Sequence, residues 1–158
     1  MKEHPDRVLK SFPRTWYFPK WNLVTWHPRG VLDDKLADQI IAFIEMEECI
    51  QAAPFNRYVD LSGLTHVRLY AGHVFDIAKR RRYRAMDQVK SAFWTDKTVT
   101  KILADMYETF MVNATIKVRV FTKKEAAAEW LEVPIEILSE SSDSQGQDSF
   151  FTRCLSNR

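Results

Sequence analysis

Glycine and proline are scarce, four and six among 158 residues. That excludes collagen-like and linker-dominated chains and favours long regular elements. Cysteine is nearly absent too. Cys49 and Cys154 stand over a hundred residues apart, with no Cys-x-x-Cys pair for zinc or redox work. The spacing does not suggest a disulfide scaffold, and two free thiols in a reducing cytoplasm are the expectation. The N-terminus, Met1-Lys2-Glu3-His4-Pro5, has no apolar signal segment. No run reaches the roughly 18 apolar residues of a membrane span. Neither sign of charge dominates: 23 Lys and Arg against 21 Asp and Glu give a net +2. That is too balanced for a chain built wholly around a polyanion. Glycines at 30, 63, 72 and 146 cannot form a Walker loop or a Gly-x-Gly-x-x-Gly fingerprint.

Apolar residues make up 46% and charged residues 28%, ordinary for a globular protein. The length fits one domain with one core. Thr15–Phe18 and Leu23–Trp26 read as aromatic, β-branched strands joined tightly enough to be antiparallel. His27-Pro28-Arg29-Gly30 reads as a turn, after which Asp33 or Asp34 caps a helix that stops near Ala53-Pro54. Arg57–Leu61 is a short buried strand. A second helix runs from about Leu69 to Arg82 with Val74, Ile77 and Ala78 inward. Val89–Trp94 is the next strand, and a third helix covers about Asp96–Phe110. Its apolar face carries Val99, Ile102, Leu103, Met106 and Tyr107. Ile116–Phe121 alternates as a strand. Thr122-Lys123-Lys124-Glu125 has capping-box spacing for a last helix through Leu131.

The order ββαβαβαβα predicts an α/β fold with a single mixed, mostly parallel, helix-covered sheet. Residues 1–13 read as a loose arm, 14–136 as the domain, and 137–158 as a Ser-rich, disordered tail. Within that tail, Phe150 and Phe151 are the only candidates for weak docking.

The run Tyr58-Val59-Asp60-Leu61-Ser62-Gly63-Leu64-Thr65, followed by a helix ending in Lys79-Arg80-Arg81, resembles the central strand–loop–helix of STAS domains, in their SpoIIAA-like branch. Arg29-Gly30-Val31-Leu32-Asp33 resembles that fold's Gly-x-Leu-Asp turn. The similarity spans about residues 15–133. It implies a regulatory or interaction domain, and architectural kinship with CRAL-TRIO-type lipophile carriers. Signalling members carry a phosphorylatable serine in an Asp-Ser-Ser-Gly-Leu-like segment; here Arg68-Leu69-Tyr70-Ala71-Gly72 stands instead. The serine switch is therefore not carried over.

Three function classes stay in play. A non-enzymatic domain would bind a protein partner or a small ligand through residues 62–72, with Ser62, His66, Arg68, Tyr70 and His73 as candidates. A homodimer is left open. A carrier or sensor of an apolar molecule would draw on the aromatics, among them Trp16, Trp21, Trp26, Trp94 and Trp130. A cavity of about 300 Å³ or more would favour the carrier, and a filled core with a flat apolar patch the interaction domain. A hydrolase or transferase would need His66 or His73, which only proximity supports. No catalytic residue is assigned, no cofactor is expected, and a metal site lacks a third ligand beyond His66, His73 or Asp76.

Two charged runs complete the reading. Asp33, Asp34, Asp38, Glu45, Glu47 and Glu48 read as a solvated acidic helix face. Lys79, Arg80, Arg81, Arg82 and Arg84 form a basic patch that suits a helix C-terminus. It could also hold phosphates, but without a second basic stripe nucleic acid is disfavoured.

Overall fold

The computed structural model describes residues 12–51, 54–82 and 88–139. The sequence-predicted tail beyond residue 139, with Phe150, Phe151 and Cys154, lies outside them, as do Arg84 and most of the N-terminal arm.

Strands β1 (Thr15–Phe18) and β2 (Leu23–Trp26) form the expected antiparallel pair, Thr15 opposite Trp26. Beyond β2 the five-stranded sheet is parallel: β4 (Asn56–Asp60), β6 (Val89–Trp94) and β7 (Ile116–Phe121) follow in that order. Helices α1 (Asp34–Ile50), α2 (Ala71–Arg82) and α3 (Thr98–Phe110) connect these strands. Each crossover advances by one strand. Right-handed connections therefore stack all three helices on one face. Ala37, Ile40, Phe43 and Ile44 of α1 and Ala104 of α3 accordingly share a core with Val24, Trp26 and Val59. The opposite face is closed by α4 (Lys124–Leu131) and a 3-10 turn at Ile135–Leu138. Ala127, Ala128, Leu131 and Leu138 pack there on Leu23, Tyr58 and Ala92.

The α/β class and the mostly parallel sheet agree with expectation. Two strands were missed. Gly30–Asp33, predicted as turn and helix entry, is strand β3, and Leu64–Arg68 is strand β5. They pair in parallel as a separate two-stranded ladder. Glycine makes this junction. Gly30 sits at φ +78°, its N–H donates to the Gly63 carbonyl, and a Cβ on Gly63 would stand 2.8 Å from the Pro28 carbonyl oxygen.

Other corrections concern faces and ends. Val99 and Ile102 are exposed; α3 instead turns Thr100 and Ala104 inward. Thr100 Oγ1 donates to the Lys97 carbonyl and is hydrogen-bonded to Thr95 Oγ1, and Ala104 lets the helix approach the sheet. The Thr122 capping box does not form, because Lys123 occupies the cap of α4 without a side-chain bond. Thr122 still belongs to the chain leaving β7, its carbonyl accepting from Trp94 Nε1 at 3.3 Å. The Asp33 cap does form, accepting from the Leu36 N–H at 2.8 Å.

The composition-based boundary also moves. Phe12 contacts Trp26 and Phe43, while Ile137 and Leu138, assigned to the tail, are buried. Leu138→Ala should therefore cost about 2–5 kcal/mol in a denaturant titration, as for a fully buried leucine. A cost below about 1 kcal/mol would show that the domain ends earlier.

Candidate functional site

The predicted site residues do not converge. Ser62 follows β4 and donates from Oγ to Asp60 Oδ1 at 2.6 Å. His66, on β5 opposite Val31 of β3, is exposed, its Nδ1 3.1 Å from the neighbouring Thr65 hydroxyl. Arg68 is exposed at the end of β5, and Tyr70 is 76% exposed. His73 does not pair with Asp76; its Nε2 reaches across to Asp38 of α1 at 2.8 Å, with Asp34 4.0 Å from Nδ1. Among the described residues no group of three or more potential ligands could hold a metal.

Two constellations do form. The first is an apolar cavity of about 140 Å³ between the sheet and α1–α3. Ile40, Ile44, Val59, Leu69, Phe93 and Leu103 are among its walls, and Arg57, Arg81, Ser91 and Tyr107 line it as well. Register puts Arg57 beside Ser91 near the start of their strands. The other end, at Trp26, Leu32 and Leu61, is wholly apolar.

The polar groups here overturn the expectation of a solvated acidic face at Glu47 and Glu48, while Asp38 is exposed as expected. Glu47 is buried, and the side chains of Glu48 and Arg81 are 8% and 2% exposed. Glu48 Oε1 accepts from both Arg57 Nη2 and Arg81 Nη2, and Oε2 from Arg81 Nη1 at 3.2 Å. One carboxylate thus ties the end of α1 to β4 and α2. Burial lowers the Arg57 pKa to about 10, with Arg81 adding to the fall and Glu48 opposing it. Burial raises Tyr107 despite the two guanidinium groups.

The basic patch is likewise engaged from within. Arg80 pairs with Glu45 at 2.5 Å, Arg81 with Glu48 and Glu45, and Arg82 donates to the Val112 carbonyl. Arg81 is not the exposed charge expected of a fanned-out helix end. Its partners are 33 and 36 positions away in sequence, beyond any helical spacing.

The second constellation lies on the opposite face, at the C-terminal ends of the strands. His27 Nδ1 stands 3.4 Å from Asp60 Oδ2, and Lys124 Nζ stands 3.9 Å from the same oxygen. Asp60 Oδ1 accepts from the Ser62 N–H and hydroxyl. The acid, not the histidine, is central, so Ser62 has no base beside it and the order is wrong for nucleophile activation. Burial by itself would raise the Asp60 pKa, but His27 and the Ser62 donors outweigh it and hold it below the ordinary value. Tyr58 is raised, by burial first and then by Asp60.

Neither cluster was legible beforehand. The available signal was Arg57 and Asp60 placed within a strand otherwise reading as core.

Two outcomes follow. Removing one partner of a buried ion pair leaves the others uncompensated, so Glu48→Gln should destabilise by about 3–5 kcal/mol in urea titrations. Asp60 has a depressed folded-state pKa, so its stabilisation is complete above the unfolded value near ~3.9 and is lost as pH falls through the folded value. Asp60→Asn should therefore flatten the loss of stability between about pH 5 and pH 2. An unchanged slope would mean that Asp60 is not held in its ionised form.

No protein-family model matches this sequence, and no curated protein matches it either.

Proposed function

We propose that this chain is a STAS-like domain that binds a small apolar molecule between its sheet and helices, as a sensor or interaction domain. The observation that carries this reading is the cavity of about 140 Å³ walled by aliphatic and aromatic side chains. It is smaller than the ~300 Å³ typical of ligand pockets. A long lipophile of the CRAL-TRIO kind is therefore disfavoured. An engineered apolar cavity of about 150 Å³ takes up benzene, so one ring is the matching size. Partly exposed Ile41, Leu69 and Ile77 on α1, α2 and the segment before α2 offer an entry. The STAS-like part of the proposal rests on element order: an antiparallel first strand, then helix–strand units ending in a helix. The β3–β5 ladder carries the segments that resemble the family's turn and loop.

Toluene titrated against the labelled protein should give saturable amide shifts around Ile44, Phe93 and Ala104. Absence of saturable shifts at millimolar toluene overturns the reading.

A second reading is favoured by Tyr70, Phe75, Val99 and Ile102, exposed by 76, 47, 64 and 59% on α2, α3 and the segment before α2. In that reading the domain self-associates through this surface. Sedimentation velocity should then show a concentration-dependent dimer that Phe75→Ser with Ile102→Ser abolishes. A monomer at all concentrations rejects it.

A further inference from the structure

The cavity is chemically lopsided, and the polar end contains an incompletely paired cation. Arg57 is 7% exposed and lines the cavity. Its guanidinium donates only through Nη2, to Glu48; Nε and Nη1 are buried and have no hydrogen-bond partner. Glu48 cannot serve Arg57 alone, because Arg81 takes both of its oxygens. A buried donor without an acceptor is costly, and a buried guanidinium more so. Stacking on the Phe55 ring, 5.1 Å away, supplies a cation–π contact but no acceptor. The lowered Arg57 pKa agrees with a charge that its surroundings under-compensate.

Resting on the reading of the cavity as a ligand site, we propose that its ligand is a ring-sized carboxylic acid, bound as the carboxylate with its head on Arg57 and its ring toward Leu61 and Trp26. An ionised carboxylate supplies the acceptor that the guanidinium lacks, and charge-assisted bonds of this kind are short and strong. Ser91, beside Arg57 in register, and Tyr107 also line the cavity, and each carries a hydroxyl of the kind from which a carboxylate accepts. The remaining wall is hydrocarbon, which suits a ring and rejects a second charged group. A phosphate ester is a poorer match: it carries more charge and needs more donors than this end offers.

The test compares benzoate, benzamide and toluene on the intact protein by calorimetry and amide shifts. Benzoate should bind at least tenfold more tightly than benzamide, with shifts at residues 57 and 91. Arg57→Gln, with its fold checked by circular dichroism, should erase that preference, so that the benzoate-to-benzamide ratio falls to about one. Toluene binding without a benzoate preference overturns the carboxylate assignment and leaves the cavity reading standing. If none of the three binds, the cavity reading itself fails. Should Arg57→Gln not fold, the benzoate-to-benzamide ratio and the position of the shifts on the unsubstituted protein decide alone. Tight benzoate binding with shifts away from residues 57 and 91 also overturns the assignment.

Discussion

The Glu48 carboxylate is the constraint on which the helix layer depends. It sits in the last turn of α1, where the macrodipole disfavours an acid, and no basic residue of that turn offsets it. It is stable there because two guanidinium groups meet it, Arg57 from β4 and Arg81 from the last turn of α2. Arg81 is placed favourably with respect to its own helix dipole, so it joins the cluster at lower cost than Glu48 does. Desolvating three charges is expensive, and only close mutual pairing offsets it. The consequence is geometric. The ends of α1 and α2 are fixed to each other and to the sheet at one place.

A second tie fixes the two helices nearer their N-termini, where His73 reaches Asp38. At both ties polar side chains reach from α1 to α2. Between the ties, the inward residues include Ile40, Phe43 and Ile44 of α1 and Val74, Ile77 and Ala78 of α2. The cavity runs between several of these residues and the sheet. Its polar end coincides with the clamp because the same arginines supply both.

The sheet was largely legible because its signals are local. Thr15–Phe18, Leu23–Trp26, Val89–Trp94 and Ile116–Phe121 are β-branched and aromatic, and each was placed to the residue. The small ladder was not, because β3 and β5 are too exposed to show a pattern. Val31 is 37% exposed, and Thr65, His66 and Arg68 face solvent. Their pairing depends on Gly30 meeting Gly63, an encounter that sequence spacing does not reveal. The face of α3 was misjudged for a related reason. Hydrophobicity favoured Val99 and Ile102, whereas hydrogen bonding of Thr100 to the Thr95 turn sets the helix rotation. The clamp was invisible in principle. Glu48 and Arg81 look solvated in any local window, and only the fold brings them together.

The two sides of the sheet consequently do different work. On the α4 side, His27, Asp60 and Ser62 form a closed arrangement at the carboxyl ends of the strands, the usual place for a ligand in an open α/β sheet. Here that place is occupied by the chain itself: Asp60 is engaged by the Ser62 donors, faced by His27 and approached by Lys124. Lys97 closes over the Ser62 and Leu64 carbonyls from the start of α3. The polar groups that could have met a ligand at that edge serve instead to lock the β4–β5 turn. The unmet donors of Arg57 are on the other side, beside the cavity. The cavity is lined from α1, α2, α3 and five strands. Any molecule that binds the folded state alone stabilises it by mass action, and a ligand bound there would do so at the layer where the helices meet the sheet.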